Sequence, residues 1–370
     1  MLTKKFPVFL IAAFVALIAL VAVLGSLQAQ NSPDVASAST NFTVIASALH
    51  NPRGLAFDEE GALYVAEAGM GGDGVCIPGP EGERCYGETG AVTKVMFDSE
   101  GNPVSQEQVV IGLSSLGAKD TGEGASGPND VAFTANGDMY VLTGFGGDPA
   151  LRDPGGDLGE DGINFGQLVR VDNEGNWSNE LDIAAYETAN NPDGALVDSN
   201  PYALLTTDDG FHIADAGGND LLAVASNGNG QSQDDISTVA VFPARMVEFP
   251  PASGQMIPMD AVPTAVEMGP DGAYYVSQLT GFPFPIGGAN IYRVVPGEEP
   301  EVYLSGFTNV LDFAWGPDGG VYVLEMAKDS LLADPPSPGQ IIQVAPNGAR
   351  KVIASEGLVA PVDMEVGPDN

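Results

Sequence analysis

The chain has 370 residues, of which 50 are acidic and 13 basic, giving a formal charge of −37. That sign excludes nucleic acid as a partner, because phosphates need Lys and Arg to neutralise them. With 48 Gly and 28 Pro, and apolar residues in short clusters that lack a sustained helical period, the body of the chain reads as all-β.

The N-terminus stands apart from the rest. Lys4 and Lys5 precede an uninterrupted apolar run over 6–24, the pattern of an export signal or of an uncleaved N-terminal membrane anchor. In either case the chain beyond residues 1–30 is expected outside the cytoplasm, with 31–41 a polar linker and 42–370 a single domain. "FTVIASAL" (42–49) is an isolated strand. "CIPGPEGERC" then places Cys76 and Cys85 in a Gly/Pro loop, where an exported protein forms a disulfide.

From there the chain repeats itself. "PRGLAFDEEGALYVAEAG" (52–69), "PNDVAFTANGDMYVLTGF" (128–145), "PYALLTTDDGFHIADAGG" (201–218), "PTAVEMGPDGAYYVSQLT" (263–280) and "NVLDFAWGPDGGVYVLEM" (309–326) each read as strand, Gly turn, strand. A third strand follows each pair, and a fourth usually follows that. Four short strands repeated in series are a β-propeller. The turn glycines Gly61, Gly137, Gly210, Gly272 and Gly319 are unevenly spaced. The excess length is expected in loops over 68–90, 144–165, 184–200 and 226–262. "PVDMEVGPDN" (361–370) starts a sixth unit. The expectation is a six-bladed propeller with an incomplete last blade, closed by the N-terminal strand 42–48, in a chain truncated at its C-terminus. Closure hides edge strands that would otherwise invite aggregation.

In a propeller the first strands line the axis, so chemistry is sought at its mouth. Seven residues before each turn glycine stand Gly54, Asp130, Ala203, Ala265 and Asp312, with Asp363 in the same place before Asn370. The second strands end on Glu67, Thr143, Asp215, Gln278 and Glu325. Carboxylates around a concave mouth suit a hard divalent cation such as Ca²⁺, with Asn129, Asp130, Asp312 and Asp363 as its ligands. The same acids equally cap loop amides. Arg53 either holds a substrate carboxylate or pairs with Glu67. Phe282 and Phe284, in "LTGFPFPIGGANIYRV" (279–294), either bind an apolar ligand or plug the channel. The acidic loop 146–162 does not have EF-hand spacing. With His50 and His212 the only histidines, a Ser-His-Asp or Cys-His hydrolase is disfavoured.

Several segments, in order along the chain, resemble the ScyD/ScyE family: 51–95, "FGQLVRVD" (165–172), "ADAGGNDLLAV" (214–224) and "LTGFPFPIGGANIYRV" (279–294). The resemblance implies an exported bacterial propeller of the NHL/TolB-like type, in a family named for gene clusters of the extracellular pigment scytonemin. It implies no catalytic residues. A final strand segment usual in such proteins is absent, which again implies an incomplete chain. The expected function is a monomeric binding or scaffold protein for a small molecule, glycan or protein at the mouth. The alternative is a metal-dependent hydrolase or lactonase. "GPNDVAF" around Asn129 is similar to a metal-binding segment of gluconolactonase-like propellers, but the chain departs from them in lacking a Glu at Arg53 or Gly54.

Overall fold

The computed structural model describes residues 42–79, 82–226 and 232–368. Five antiparallel sheets follow one another along the chain, each a blade of a β-propeller. The first holds β1 (Pro52–Phe57), β2 (Leu63–Glu67), β4 (Gly82–Phe97) and β5 (Pro103–Ala118), with β3 (Cys76–Gly79) paired to β4. The second runs β6 (Pro128–Phe133), β7 (Met139–Thr143), β8 (Gln167–Val171) and β9 (Trp177–Asp182); the third runs β10 (Pro201–Thr207), β11 (Gly210–Asp215), β12 (Asp220–Ala225) and β13 (Ile236–Val241). A separate hairpin, β14 (Arg245–Glu248) and β15 (Met256–Met259), precedes the fourth blade. That blade is β16 (Pro263–Met268), β17 (Tyr274–Gln278), β18 (Ala289–Val294) and β19 (Glu301–Phe307). The fifth is β20 (Val310–Trp315), β21 (Val321–Glu325), β22 (Gln340–Val344) and β23 (Arg350–Ala354). One helix, α1 (Ile183–Asn190), lies between the second and third blades in sequence.

The apolar core occupies the wedges between blades and leaves the axis polar. Tyr140, Leu142 and Leu168 of the second blade pack on Leu204, Phe211 and Ile213 of the third, and the other neighbouring blades do the same. One ring pair recurs at each of these seams: Tyr64–Phe133, Tyr140–Phe211, His212–Tyr274 and Tyr275–Trp315, with centroids 4.7, 4.6, 4.0 and 5.0 Å apart. His212 and Trp315 are therefore packing residues.

A second regularity shapes the axis. In every blade the register of the first strand against the second slips once: between Pro52 and Leu55, Pro128 and Asp130, Pro201 and Ala203, Pro263 and Ala265, and Val310 and Asp312. A bulge of this kind re-aims side chains. Here it lets two consecutive residues of a strand face one cavity, as with Asn129 and Asp130 or Tyr202 and Ala203.

The structure departs from the expected elements in several segments: 184–200 and 226–262, expected as loops, hold most of α1 and the strands β13, β14 and β15. Residues 42–48 and 361–366, read as strands of a sixth blade, carry no strand pairing, so the described residues contain five blades. Segment 361–366 nevertheless lies between β20 and β1: the Met364 N–H donates to Asp312 Oδ2, and the Leu55 N–H to Asp363 Oδ2. Ala46 and Leu49 pack against the buried cluster of Leu63, Val65 and Val95 in the first blade. The stretch 68–90, expected as a loop, is largely β3 and the start of β4, because Cys76 and Cys85 sit opposite each other in the ladder and form the expected disulfide. The leader, the linker and Asn370 lie outside the described residues.

Candidate functional site: an acid-lined axial cavity

The first strands enclose a cavity of about 250 Å³ on the axis. Five carboxyl groups line it: Asp130, Glu267, Asp312, Asp363 and Glu365. Arg53 is the cation in its wall, donating through Nη2 to the Ala125 carbonyl at 3.1 Å. It does not pair with Glu67. Tyr202 also faces the cavity, and its hydroxyl is buried with no hydrogen-bond partner.

The aspartates form a repeated staple. Asp130 Oδ2 accepts the Leu204 N–H of the next blade at 2.7 Å, and Oδ1 accepts its own neighbour Val131 at 2.8 Å. Asp312 does the same for Met364 at 2.9 Å, and Asp363 for Leu55. Each carboxylate thus reaches the amide one position beyond its own equivalent in the adjoining strand. The first blade has Gly54 at this place because the space is taken: a β-carbon there would stand 2.1 Å from Asp130 Oδ1.

Burial and mutual repulsion raise the whole set. Asp130 is pushed well above the ordinary carboxylate range by burial and then by the charge of Asp363. Asp312 is pushed up likewise, by burial and then by the charge of Asp363, which is itself raised by burial. Glu267 is raised to about 8 by burial and by Glu365 and Asp363. Glu365 rises to about 7 through burial and Asp363, although part of its side chain is open to solvent. Such a cavity accepts protons, or a ligand that brings positive charge.

Glu267, Glu365 and Tyr202 were not among the residues singled out from sequence. The signal for the two glutamates was available: strand side chains repeat with period two, and these residues lie two beyond Ala265 and Asp363. Tyr202 faces inward only because of the bulge before Ala203, which strand periodicity does not announce.

The residues at the ends of the second strands lie apart from the cavity, buried under the loops that enter each blade. Glu67 accepts from the His50 N–H and the Thr93 hydroxyl. Glu325 accepts from the Thr308 N–H at 2.8 Å and Gln340 Nε2 at 2.6 Å. Asp215 accepts from the Asn200 N–H at 2.6 Å and the Ser199 hydroxyl at 2.7 Å. All three pin the residue or loop just ahead of a first strand. Asn129 lines the cavity but its Nδ2 is engaged, donating to the Pro201 carbonyl at 2.9 Å. Phe282 and Phe284 stand in an aromatic group with Phe249, outside the cavity wall. Among the described residues, no three His, Cys, Asp or Glu side chains are set as they stand to hold a metal ion, and no helix is long and apolar enough to cross a membrane.

No family model matches the chain. No curated protein matches it either. Among solved structures it is similar to a streptogramin B lyase (11% identity over 87% of this chain and 74% of that one, TM-score 0.44). It is also similar to a PQQ-bound aldose sugar dehydrogenase from Streptomyces coelicolor (16%, 78% and 91%, TM-score 0.38). A luciferin-regenerating enzyme is a third (14%, 86% and 96%, TM-score 0.41). Likeness at this level carries no argument about activity.

Proposed function

We propose that the chain is an exported, monomeric, six-place β-propeller of the ScyD/ScyE type that binds a small cationic ligand, such as an organic amine, in its axial cavity. The observation that carries this reading is the wall of the cavity, where five carboxyl groups, raised by burial, stand with one arginine. A cationic guest offsets the repulsion among the acids and supplies donors to oxygens that face the axis. Tyr202 adds an aromatic face and a hydroxyl, a pairing suited to an ammonium group. The sixth place is the one segment 361–366 takes between β20 and β1. Export is supported by the Cys76–Cys85 disulfide, a bond that persists in oxidising compartments.

The test is calorimetric titration with putrescine, choline and glucose at pH 6 and pH 8.5. Amine binding is expected to tighten with pH, as Glu365 and Glu267 ionise, and to weaken at least tenfold in Glu267→Gln and in Asp312→Asn. Glucose binding without amine binding would overturn the charge-based reading in favour of a glycan site.

The contact between Asp312 and Asp363 favours one second reading, a divalent cation shared by those carboxylates with Asn129 and Asp130, as a metal-dependent hydrolase or lactonase requires. It predicts saturable Ca²⁺, Mn²⁺ or Zn²⁺ binding that is lost in Asp312→Asn and Asp363→Asn. An ion stoichiometry that neither substitution lowers would refute it.

A further inference from the structure

The third blade carries a second group of acids, remote from the axis in purpose. Glu187 projects from α1, Asp215 ends β11 and Asp220 opens β12, and their exposures are 2%, 1% and 1%. All three converge on the bare Cα of Gly218. The place a β-carbon would occupy there has Glu187 Oε2 at 3.2 Å, with the Asp215 carboxyl carbon and Asp220 Oδ1 each at 3.5 Å.

These acids are not used alike. Asp215 is fully engaged, accepting from Ser199, Asn200, Gly217 and Gly218. Glu187 Oε1 and Asp220 Oδ1, by contrast, are sealed from solvent and have no hydrogen-bond partner. The same holds for Asp198 Oδ1, in the strip of chain packed against Gly217, and for Asn191 Oδ1, at the C-terminal cap of α1 four residues beyond Glu187. Buried polar atoms without partners are rare, and buried carboxylates without a positive partner are rarer. The charges that act most strongly on Glu187, Asp198 and Asp220 are other carboxylates, so burial drives all three upward with no base to offset it.

We propose that this cluster, with Glu187 and Asp220 as its charged ligands and Asp198 as a further oxygen donor, is a Ca²⁺ site. The donor set is all oxygen, with neither imidazole nor thiolate, which selects a hard cation. Calcium takes six to eight oxygens in flexible geometry and completes them with amides, carbonyls and water, so it does not require three acids already gathered at ligating distance. Asp215 is the positioning residue: through Gly217 and Gly218 it holds the turn on which Asp220 is mounted. The ion would tie α1 to the third blade.

The experiment is titration of chelator-stripped full-length protein with CaCl₂ and MgCl₂ by calorimetry, alongside thermal melts. One saturable Ca²⁺ per chain is expected, tighter than Mg²⁺, with a rise in melting temperature on saturation. Asp220→Asn and Glu187→Gln should each weaken Ca²⁺ at least tenfold, while Glu301→Gln, at an exposed position of β19, leaves it unchanged. If Asp220→Asn loses the wild-type circular dichroism spectrum, Glu187→Gln decides alone, since it alters a helix side chain without touching the turn. The proposal is overturned by the absence of saturable Ca²⁺ heat up to 1 mM with an unmoved melting temperature. It is equally overturned by tighter Mg²⁺ binding, or by Ca²⁺ binding that Glu187→Gln neither weakens nor lowers in stoichiometry.

Discussion

Gly54 is where the first blade gives up the carboxylate that its neighbours use as a staple. Its missing side chain makes room for Asp130, whose backbone Cα would lie 2.8 Å from an added β-carbon. Because that neighbour is backbone, Gly54→Ala should overpack the axis and destabilise by about 1–3 kcal/mol. The midpoint of urea unfolding at constant slope measures it. Glu267 makes a prediction with a definite sign. Its folded-state value, about 8, lies above the ordinary 4.5, so between those values the folded chain keeps a proton that the unfolded chain releases. Stability therefore falls as pH rises from 5 to 8 and levels off above that. Glu267→Gln should melt higher than wild type at pH 8, and the gap should shrink toward pH 5. A gap of equal size at both values would place the effect in packing rather than ionisation.

At the level of the element, the hairpin of β3 and β4 depends on one covalent tie. Cys76 and Cys85 are 9 residues apart, and a loop of that size contributes about 2–3 kcal/mol in the chain-entropy account. Reduction should therefore speed amide exchange over 72–88 and leave β2, deep in the blade, protected; hydrogen–deuterium exchange with and without reductant reads the difference. This hairpin also marks a limit of sequence reasoning. Its Gly and Pro content suggests a loop, and the ladder that overrides local composition is visible only once the two cysteines face each other. The second-strand acids show another limit. Glu67, Asp215 and Glu325 sit at a strand end on the expected side of the fold, yet they turn back to the chain entering the blade instead of forward to the axis. Position along a strand was legible; direction at its last residue was not. The blade strands themselves were read correctly because alternating apolar residues and Gly turns recur five times, and repetition corrects the ambiguity of any single copy.

For the whole molecule the governing quantity is charge. At −37 the chain repels itself at long range, and the cavity concentrates that repulsion on the axis. Raising NaCl from 10 to 150 mM shortens the screening length from about 30 to about 8 Å. The melting temperature should rise by about 2–4 °C, the response to roughly 1 kcal/mol in a large domain. Differential scanning calorimetry tests this, and a flat or falling response would mean that the acids are already neutralised. The arrangement of blades was legible because the four seams between consecutive blades repeat one ring pair, whereas the cavity's chemistry was only half legible. Asp130, Asp312 and Asp363 are aligned by the repeat, but Tyr202 owes its place to a register slip and Glu267 to a second tier that the count from the turn glycine skipped.

The fastening of segment 361–366 runs through the cavity's own acids, since Asp312 and Asp363 hold the amides that keep it beside β1. A guest of the proposed kind would compete for the very carboxylates that serve as the latch. Occupancy and latching would then be one equilibrium observed at two places. A protease cutting at exposed Glu356 and Gly357 becomes a gauge of what the axis holds, readable on a gel without a label on the guest.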